Sequence, residues 1–367
     1  MIPLLLFQTG SQYQESNQLK TMLSNGSIIY CEKRDAPYVS VQLILSNRDF
    51  PDQTTNYGYR HLIEHIAARS IPGHDLEIES VGGFFYASTG RDWMRFEWRL
   101  PAENIGLSYK GIAGLLKDCG ATEAAIKRES VAISREIDLS TTNEIASRSA
   151  WSSVYGAEGL DPLGTRESVS AARPSDLVDI WRKLTKGSNV VISACGTIDQ
   201  QKFTSSCKEL LSGIVTSKPG PIAGRAIDGS YGVPGFVAVP IPSIATKQGA
   251  NALVAAFGLA GRLNRPFVTY TPSLRPGLAL VGSTDPYESI KVVTDVEDPA
   301  IIYTLGRMNA LEWIRSRLST PEGSAEFNGT LLSLSPSLRP SKVYESIELA
   351  TFAEFKRTWD LIKGVAK

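Results

Sequence analysis

Histidine is scarce in this 367-residue chain, which has only three. Cysteine is nearly as scarce. Cys31, Cys119, Cys195 and Cys207 include no C-x-x-C pair and lie in apolar or mixed segments. That usage points to buried free thiols in a reducing compartment rather than to a disulfide framework. Neither charge sign is in surplus, with 38 Lys+Arg against 38 Asp+Glu. A chain without basic excess is poorly suited to neutralising phosphates, so nucleic acid is excluded as the main partner, and no polybasic cluster offers a membrane-surface anchor. No apolar run approaches the roughly 20 residues of a membrane span. The opening MIPLLLFQTG lacks a basic flank and a small-residue cleavage site, and it reads as an ordered opening segment rather than a secretory signal. A cytoplasmic location is therefore expected.

With 42% hydrophobic and 21% charged residues, the composition is that of a globular protein with ample core material, and the length suits two domains. Asn25-Gly26 is a hairpin signal between apolar strands, and 39-VSVQLILS-46 alternates as a strand. Helical spacing starts at Tyr59. Segment 75–83 reads as a short helix stopped by Gly82-Gly83. Residues 84–90 and the stretch in which Met94, Phe96, Trp98 and Leu100 alternate read as a β-hairpin. Helices are expected over about 105–118, 122–149 and 173–186, with a buried strand over 189–196. These elements make an α+β domain over 1–215. The Gly-, Pro- and Ser-rich stretch 216–232 reads as a linker. A shorter second domain, 233–367, carries strands at 234–240 and 277–283 and helices near 247–262, 298–318 and 351–364, loosely echoing the first.

Two of the three histidines fall in 58-GYRHLIEHIAAR-69. On a helix His61, Glu64 and His65 stand at i, i+3 and i+4 and share one face. Two imidazoles one turn apart can hold a single Zn²⁺, and a carboxylate beside them can take a proton from water that the metal has acidified. This H-x-x-E-H order inverts the commoner H-E-x-x-H. His74 follows Pro72-Gly73 and reads as a surface-loop residue. A catalytic zinc needs a third protein ligand. The stretch 127-KRESVAISREID-138 offers Glu129 and Glu136, seven residues apart on one helical face. Either can ligate, and the other can orient ligands or water from behind.

Several segments, in this order, resemble the pitrilysin family of zinc peptidases, the inverzincins: 24-SNGSIIYCE, 58-GYRHLIEHIAA, 79-ESVGGFFYAST, 127-KRESVAISREI, 162-PLGTRESV and 189-NVVISACGTID. The resemblance covers residues ~20–215 and implies a half-clamshell of two related domains, each a mainly antiparallel sheet backed by helices. It implies that His61, His65 and Glu136 are the metal ligands, that Glu64 is the general base, and that Glu129 is its supporting carboxylate. It further implies that a peptide adds as a strand along residues 84–89, at Phe85, Tyr86, Ala87 and Ser88. The sequence departs from the family at Tyr86, where an asparagine is usual, and at Arg60, where a small residue is usual. The second half is only weakly similar. In the family it supplies an arginine and a tyrosine to the substrate carbonyl, and Arg262, Arg265 and Tyr270 in 261-GRLNRPFVTYTPSLRPG-277 are the candidates.

The expected function is that of a zinc endopeptidase with one Zn²⁺ per chain, acting on short or unfolded peptides such as leader segments, as the catalytic subunit of a homo- or heterodimer. The alternative is a non-catalytic or partner-dependent peptide-binding subunit. A third reading is an unrelated α+β protein that binds no metal.

Overall fold

The Asn25-Gly26 pair turns the chain as its residue types require. Gly26 adopts φ +98°, a conformation open chiefly to glycine. Strands β1 (Gln18–Met22) and β2 (Ile28–Lys33) then pair antiparallel from Gln18↔Glu32 to Met22↔Ile28. The computed structural model describes residues 17–47, 50–220, 232–233, 236–262, 268–273, 275–282 and 296–365. After β2 come β3 (Tyr38–Ser46), α1 (Tyr59–Ala68), α2 (His74–Ser80), β4 (Phe84–Thr89) and β5 (Trp93–Pro101). Helices α3 (Gly106–Lys117), α4 (Glu123–Asp138), α5 (Thr142–Tyr155), α6 (Arg166–Ser170) and α7 (Pro174–Leu184) precede β6 (Val190–Gly196) and α8 (Gln200–Leu210). The second half contains β7 (Gly232–Val233), β8 (Phe236–Ile241), α9 (Lys247–Arg262), β9 (Val268–Thr269) and β10 (Gly277–Gly282). It closes with α10 (Pro299–Arg317), α11 (Pro321–Leu334), α12 (Pro340–Glu348) and α13 (Phe352–Val365).

The strands form a six-stranded sheet, ordered β1-β2-β6-β3-β5-β4, and a smaller one, ordered β7-β8-β10-β9. Only β2 and β6 pair in parallel; every other described pairing is antiparallel. The expected alternation in β5 is observed. Met94, Phe96, Trp98 and Leu100 join Val39, Val41, Leu43 and Leu45 of β3 in one apolar layer beneath α1, α3, α7 and α8. The opposite face is mixed, and α11 covers it: Ile28, Tyr30, Ile44, Trp93 and Val191 form a small apolar cluster with Leu332 of α11, and polar groups lie beside it. There the Ser193 hydroxyl donates to the Ala325 carbonyl, Ser324 donates to Glu32, and Arg95 pairs with Glu326. Gly329 lets α11 lie close on the strands, because a Cβ there would come within 2.8 Å of Ser193 Cβ. No helix among the described residues is long and apolar enough to cross a membrane. All four cysteines are buried thiols.

Three expectations need correction. The single helix read over 122–149 is two, because Thr141 and Glu144 form a capping box that starts α5 afresh after α4 ends at Asp138. His74 is no surface residue. It is buried at the start of α2, where its Nε2 accepts a hydrogen bond from Trp98 Nε1 at 3.2 Å. Helices α6, α8, α11 and α12 were not anticipated; α11 is buried on nearly every side and so shows no amphipathic stripe. The opening segment and residues 221–231 of the expected linker lie outside the described residues.

The loop before α1 meets the loop before α6 through two glycines. Gly58 and Gly164 hold φ +86° and +74°, and a Cβ on Gly164 would sit 2.7 Å from Gly58 Cα. Gly164→Ala is therefore expected to lower stability by about 1–3 kcal/mol through backbone strain and overlap. The denaturant midpoint reads this directly, and an unchanged midpoint would show that the contact is not tight.

Candidate functional site

Helix α1 is amphipathic in a way that fixes its rotation. Tyr59, Leu62, Ile63, Ile66 and Ala67 are buried against the sheet. At 100° per residue, that leaves His61, Glu64 and His65 on the opposite face, towards α4. The two histidine Nε2 atoms lie 3.2 Å apart with their rings nearly perpendicular, at 89°. Glu136 reaches in from the last turn of α4. One of its carboxylate oxygens is 3.5 Å from His61 Nε2 and the other is 3.3 Å from His65 Nε2.

These separations test whether the residues fit a metal. Zinc–nitrogen bonds of about 2.0–2.1 Å place tetrahedral ligands about 3.3–3.4 Å apart. The two imidazole nitrogens, 3.2 Å apart, come close to that figure, as do the nearest approaches of Glu136, 3.3 Å from one carboxylate oxygen to His65 and 3.5 Å from the other to His61, and one donor atom from each residue lies within 4.8 Å of the rest. The donor set, two imidazoles and a carboxylate, is one that suits zinc. Among the described residues this is the only group of three or more His, Cys, Asp or Glu so arranged.

Burial keeps His61 neutral, as a nitrogen ligand requires: its pKa is lowered to about 3, chiefly by desolvation and then by the neighbouring His65, while a contact with the Leu163 backbone works the other way. Glu129 is fully buried beneath the pair, in contrast to the solvated face such a glutamate usually occupies. Its Oε2 stands 3.5 Å from His65 Nδ1, and its Oε1 accepts from Arg69 and Arg128 at 3.2 and 2.7 Å. A buried carboxylate needs such partners. Through Nδ1 it orients the His65 ring and leaves Nε2 facing the centre.

Glu64 is not part of the three-atom cluster. Its Oε2 lies 4.0 Å from His61 Nε2 and accepts a hydrogen bond from Thr89 Oγ1 at 3.0 Å. Burial pushes its carboxyl pKa up to about 7, with Thr89 opposing and Glu136 adding to the rise. A carboxylate of that basicity is poised for proton transfer near neutrality. Thr89 was missed in the sequence, although period-2 alternation from Phe85 and Ala87 would have placed it on this face.

A cavity of about 910 Å³ opens beside these groups. Tyr86, Ala87 and Ser88 of the end strand β4 line it. Phe85 does not: its ring turns inward against Trp98, with centroids 5.2 Å apart, so it can offer only backbone to a ligand. Tyr270 lines the far wall and is buried, and desolvation drives its hydroxyl pKa well above the usual value. Arg262 is exposed at the end of α9 and does not line the cavity, while Arg265 lies outside the described residues.

The turn between β4 and β5 ties the walls together. Arg91 stacks over Trp151 at 4.1 Å and donates to the Gly159 and Leu160 carbonyls and to Asp161. Next to it, buried Asp92 pairs with Arg275 and accepts from Ser273. Nothing in the sequence foreshadows that link between distant segments. Arg60 is buried within α1. It forms a two-pronged pair with Asp52, at 2.8 and 2.6 Å, and donates to the Trp93 and Arg91 carbonyls. The bulky residue at this position thus braces the same turn from beneath. Asp52→Asn should cost about 3 kcal/mol, because it leaves the buried guanidinium without a counter-charge. Denaturation of the purified variant measures this, and a loss below the scatter of ordinary surface substitutions would contradict it.

No family model matches the chain. Among curated proteins it is similar to the mitochondrial-processing peptidase subunit beta of Bos taurus, at 26% identity over 197 residues, covering 51% of this chain and 40% of that protein. It is also similar to an uncharacterized zinc protease of Rickettsia felis, at 25% identity over 190 residues, covering 48% of this chain and 46% of that protein. Each match spans less than half of the relative's length. Among solved structures, a protease from Helicobacter pylori superposes with a TM-score of 0.75 at 13% identity, covering 94% of this chain and 96% of that one. A chain of complex III2 from Candida albicans superposes with a TM-score of 0.74 at 16% identity, covering 94% and 92%. At those identities the superpositions establish a shared fold.

Proposed function

Since the chain belongs to the pitrilysin family of zinc metallopeptidases, we propose that it is a zinc endopeptidase that hydrolyses short or unfolded peptides. The observation that carries this reading is the meeting of one donor atom each from His61, His65 and Glu136 within 4.8 Å of one another. A second, buried carboxylate stands beside them without joining them. Zinc, when bound there, supplies a positive charge that polarises a carbonyl and acidifies water.

The remaining steps belong to the chain's own groups. Glu129 holds the His65 ring through Nδ1, and Glu64 accepts the proton of the attacking water and returns it to the leaving amine. Thr89 fixes the Glu64 carboxylate by its hydrogen bond and belongs to β4, the strand that receives the peptide. The peptide pairs with the free backbone edge of β4, which ends the described sheet. A cavity of about 910 Å³ admits an extended segment and excludes a folded domain, which supports unfolded substrates such as leader segments. Tyr270, in the far wall beside Thr269 and Thr271, is the second-half residue proposed to meet the substrate carbonyl.

A related subunit or second copy is proposed to close the open side, in keeping with a similar protein that is named as a subunit. One observation favours the partner-dependent alternative. Arg262 is off the cavity and Arg275 is engaged by Asp92, so among the described residues no second-half arginine lines the site.

Glu64→Gln separates these readings. With zinc still bound, the variant is expected to lose at least about 100-fold in peptide turnover, the scale of one general base. Turnover at the wild-type rate would remove Glu64 from that role. Turnover by the wild-type chain alone would set aside the partner-dependent reading.

A further inference from the structure

The end strand β4 carries more than a backbone edge. Phe84 and Tyr86 project from the same side of it, 51% and 46% exposed. Their rings are nearly parallel, at 13°, with centroids 6.4 Å apart. The Arg99 guanidinium lies 5.6 Å from the Phe84 ring and borders the pair on one side. Exposed sheet edges invite pairing with another strand, and proteins usually blunt them with charge or proline. The β4 sequence, FFYAST, has neither. An aromatic pair kept exposed on such an edge is suited to an occupant that arrives as a strand.

We propose that Phe84 and Tyr86 form an apolar shelf that selects peptides with large apolar or aromatic side chains at two alternate positions. The proposal deepens the peptidase reading and rests on it for one point, that the peptide lies as a strand along β4. Side chains of an added strand alternate in facing, and cross-strand neighbours stand about 4.5–5.5 Å apart. One set of peptide side chains therefore meets Phe84 and Tyr86. The other set faces the side of Thr89, whose hydroxyl reaches Glu64. Tyr86 and Phe84 precede Thr89 by three and five residues, roughly 10 and 17 Å along a strand at about 3.3 Å per residue. The shelf thus reads residues remote from the bond that is cut. Tyr86 also lines the cavity, while Phe84 extends the shelf beyond it. Covering half-exposed rings with a large apolar side chain should favour the apolar peptide by at least about tenfold over a serine-bearing one.

The test is binding to the zinc-loaded full chain carrying Glu64→Gln, which should hold peptide without cutting it. The probes are two blocked fluorescent peptides of about ten residues, enough for an added strand with flanks. One carries two phenylalanines separated by a single residue, and the other carries serines at the same places. The expected result is a preference for the phenylalanine peptide of at least about tenfold that falls to within about twofold when Phe84→Ser and Tyr86→Ser are added together. Should that combination fold poorly, Tyr86→Asn alone is expected to remove about half of the preference on a logarithmic scale. Equal affinity for both peptides, no binding of either, or a preference that survives the substitutions overturns the shelf. Cleavage by the wild-type chain is scored separately. Preferential binding without cleavage overturns the peptidase reading and supports the shelf, whereas cleavage of both peptides at equal rates without binding preference overturns the shelf alone.

Discussion

Where the two histidines point is decided by the apolar residues around them on α1. Leu62, Ile63 and Ile66 are essentially inaccessible to water. Burying each is worth about 1.5–3 kcal/mol. Rotating α1 to turn His61 and His65 elsewhere would expose that stripe and lose most of this energy. The apolar face thus fixes the polar one, and the approach of the Glu136 carboxylate to both imidazoles follows once α4 packs alongside. The Gly58–Gly164 contact at the start of α1 and the buried Arg60–Asp52 pair hold the same helix at its entry. Packing energy spent on an ordinary core is what pre-organises the polar cluster.

The second half reaches this centre through apolar and polar contacts together: Ala150, Val154 and Tyr155 of α5 pack on Ala238, Leu278 and Leu280, and Leu332 packs on Ile44 and Val191. Beside that apolar packing, helix α11 engages the first sheet through hydroxyl, carboxylate and guanidinium groups, and Asp92 fastens Ser273 and Arg275 next to the cavity wall. Buried charges lose hydration, so such an interface holds only when each group finds its partner. That makes the relative placement of the walls specific in a way that a purely apolar seam would not. It also puts the β4–β5 turn at the junction of everything the site needs: the base through Thr89, the wall through Arg91, and the second half through Asp92.

Much of this was legible in the sequence because local rules govern it. Helical spacing of His61, Glu64 and His65, the seven-residue interval between Glu129 and Glu136, the Asn-Gly hairpin and the alternation in β5 are all short-range patterns, and the structure follows them. The capping box at Thr141–Glu144 was also present in the sequence, and its neglect merged two helices into one. His74 was misread because a turn dipeptide says nothing about the Trp98 indole waiting across the core. Glu129 could not be told from a solvated glutamate, since its burial depends on Arg69 and His65 from another helix. The Asp92–Arg275 link and the placement of α11 on the first sheet are long-range events without a periodic signature. The inward turn of Phe85, beside the outward Phe84 and Tyr86, depends on strand facing, which a one-residue shift in register would reverse.

The central claim is that His61, His65 and Glu136 together hold zinc. It is tested most directly by removing metal from the purified chain, titrating zinc back against a chromophoric chelator, and repeating the titration with His65→Ala. The account predicts about one tightly held zinc per wild-type chain, and its loss in the variant, as a three-ligand site reduced to two requires. A wild-type chain that takes up no zinc, or a variant that retains it at full affinity, would contradict the account.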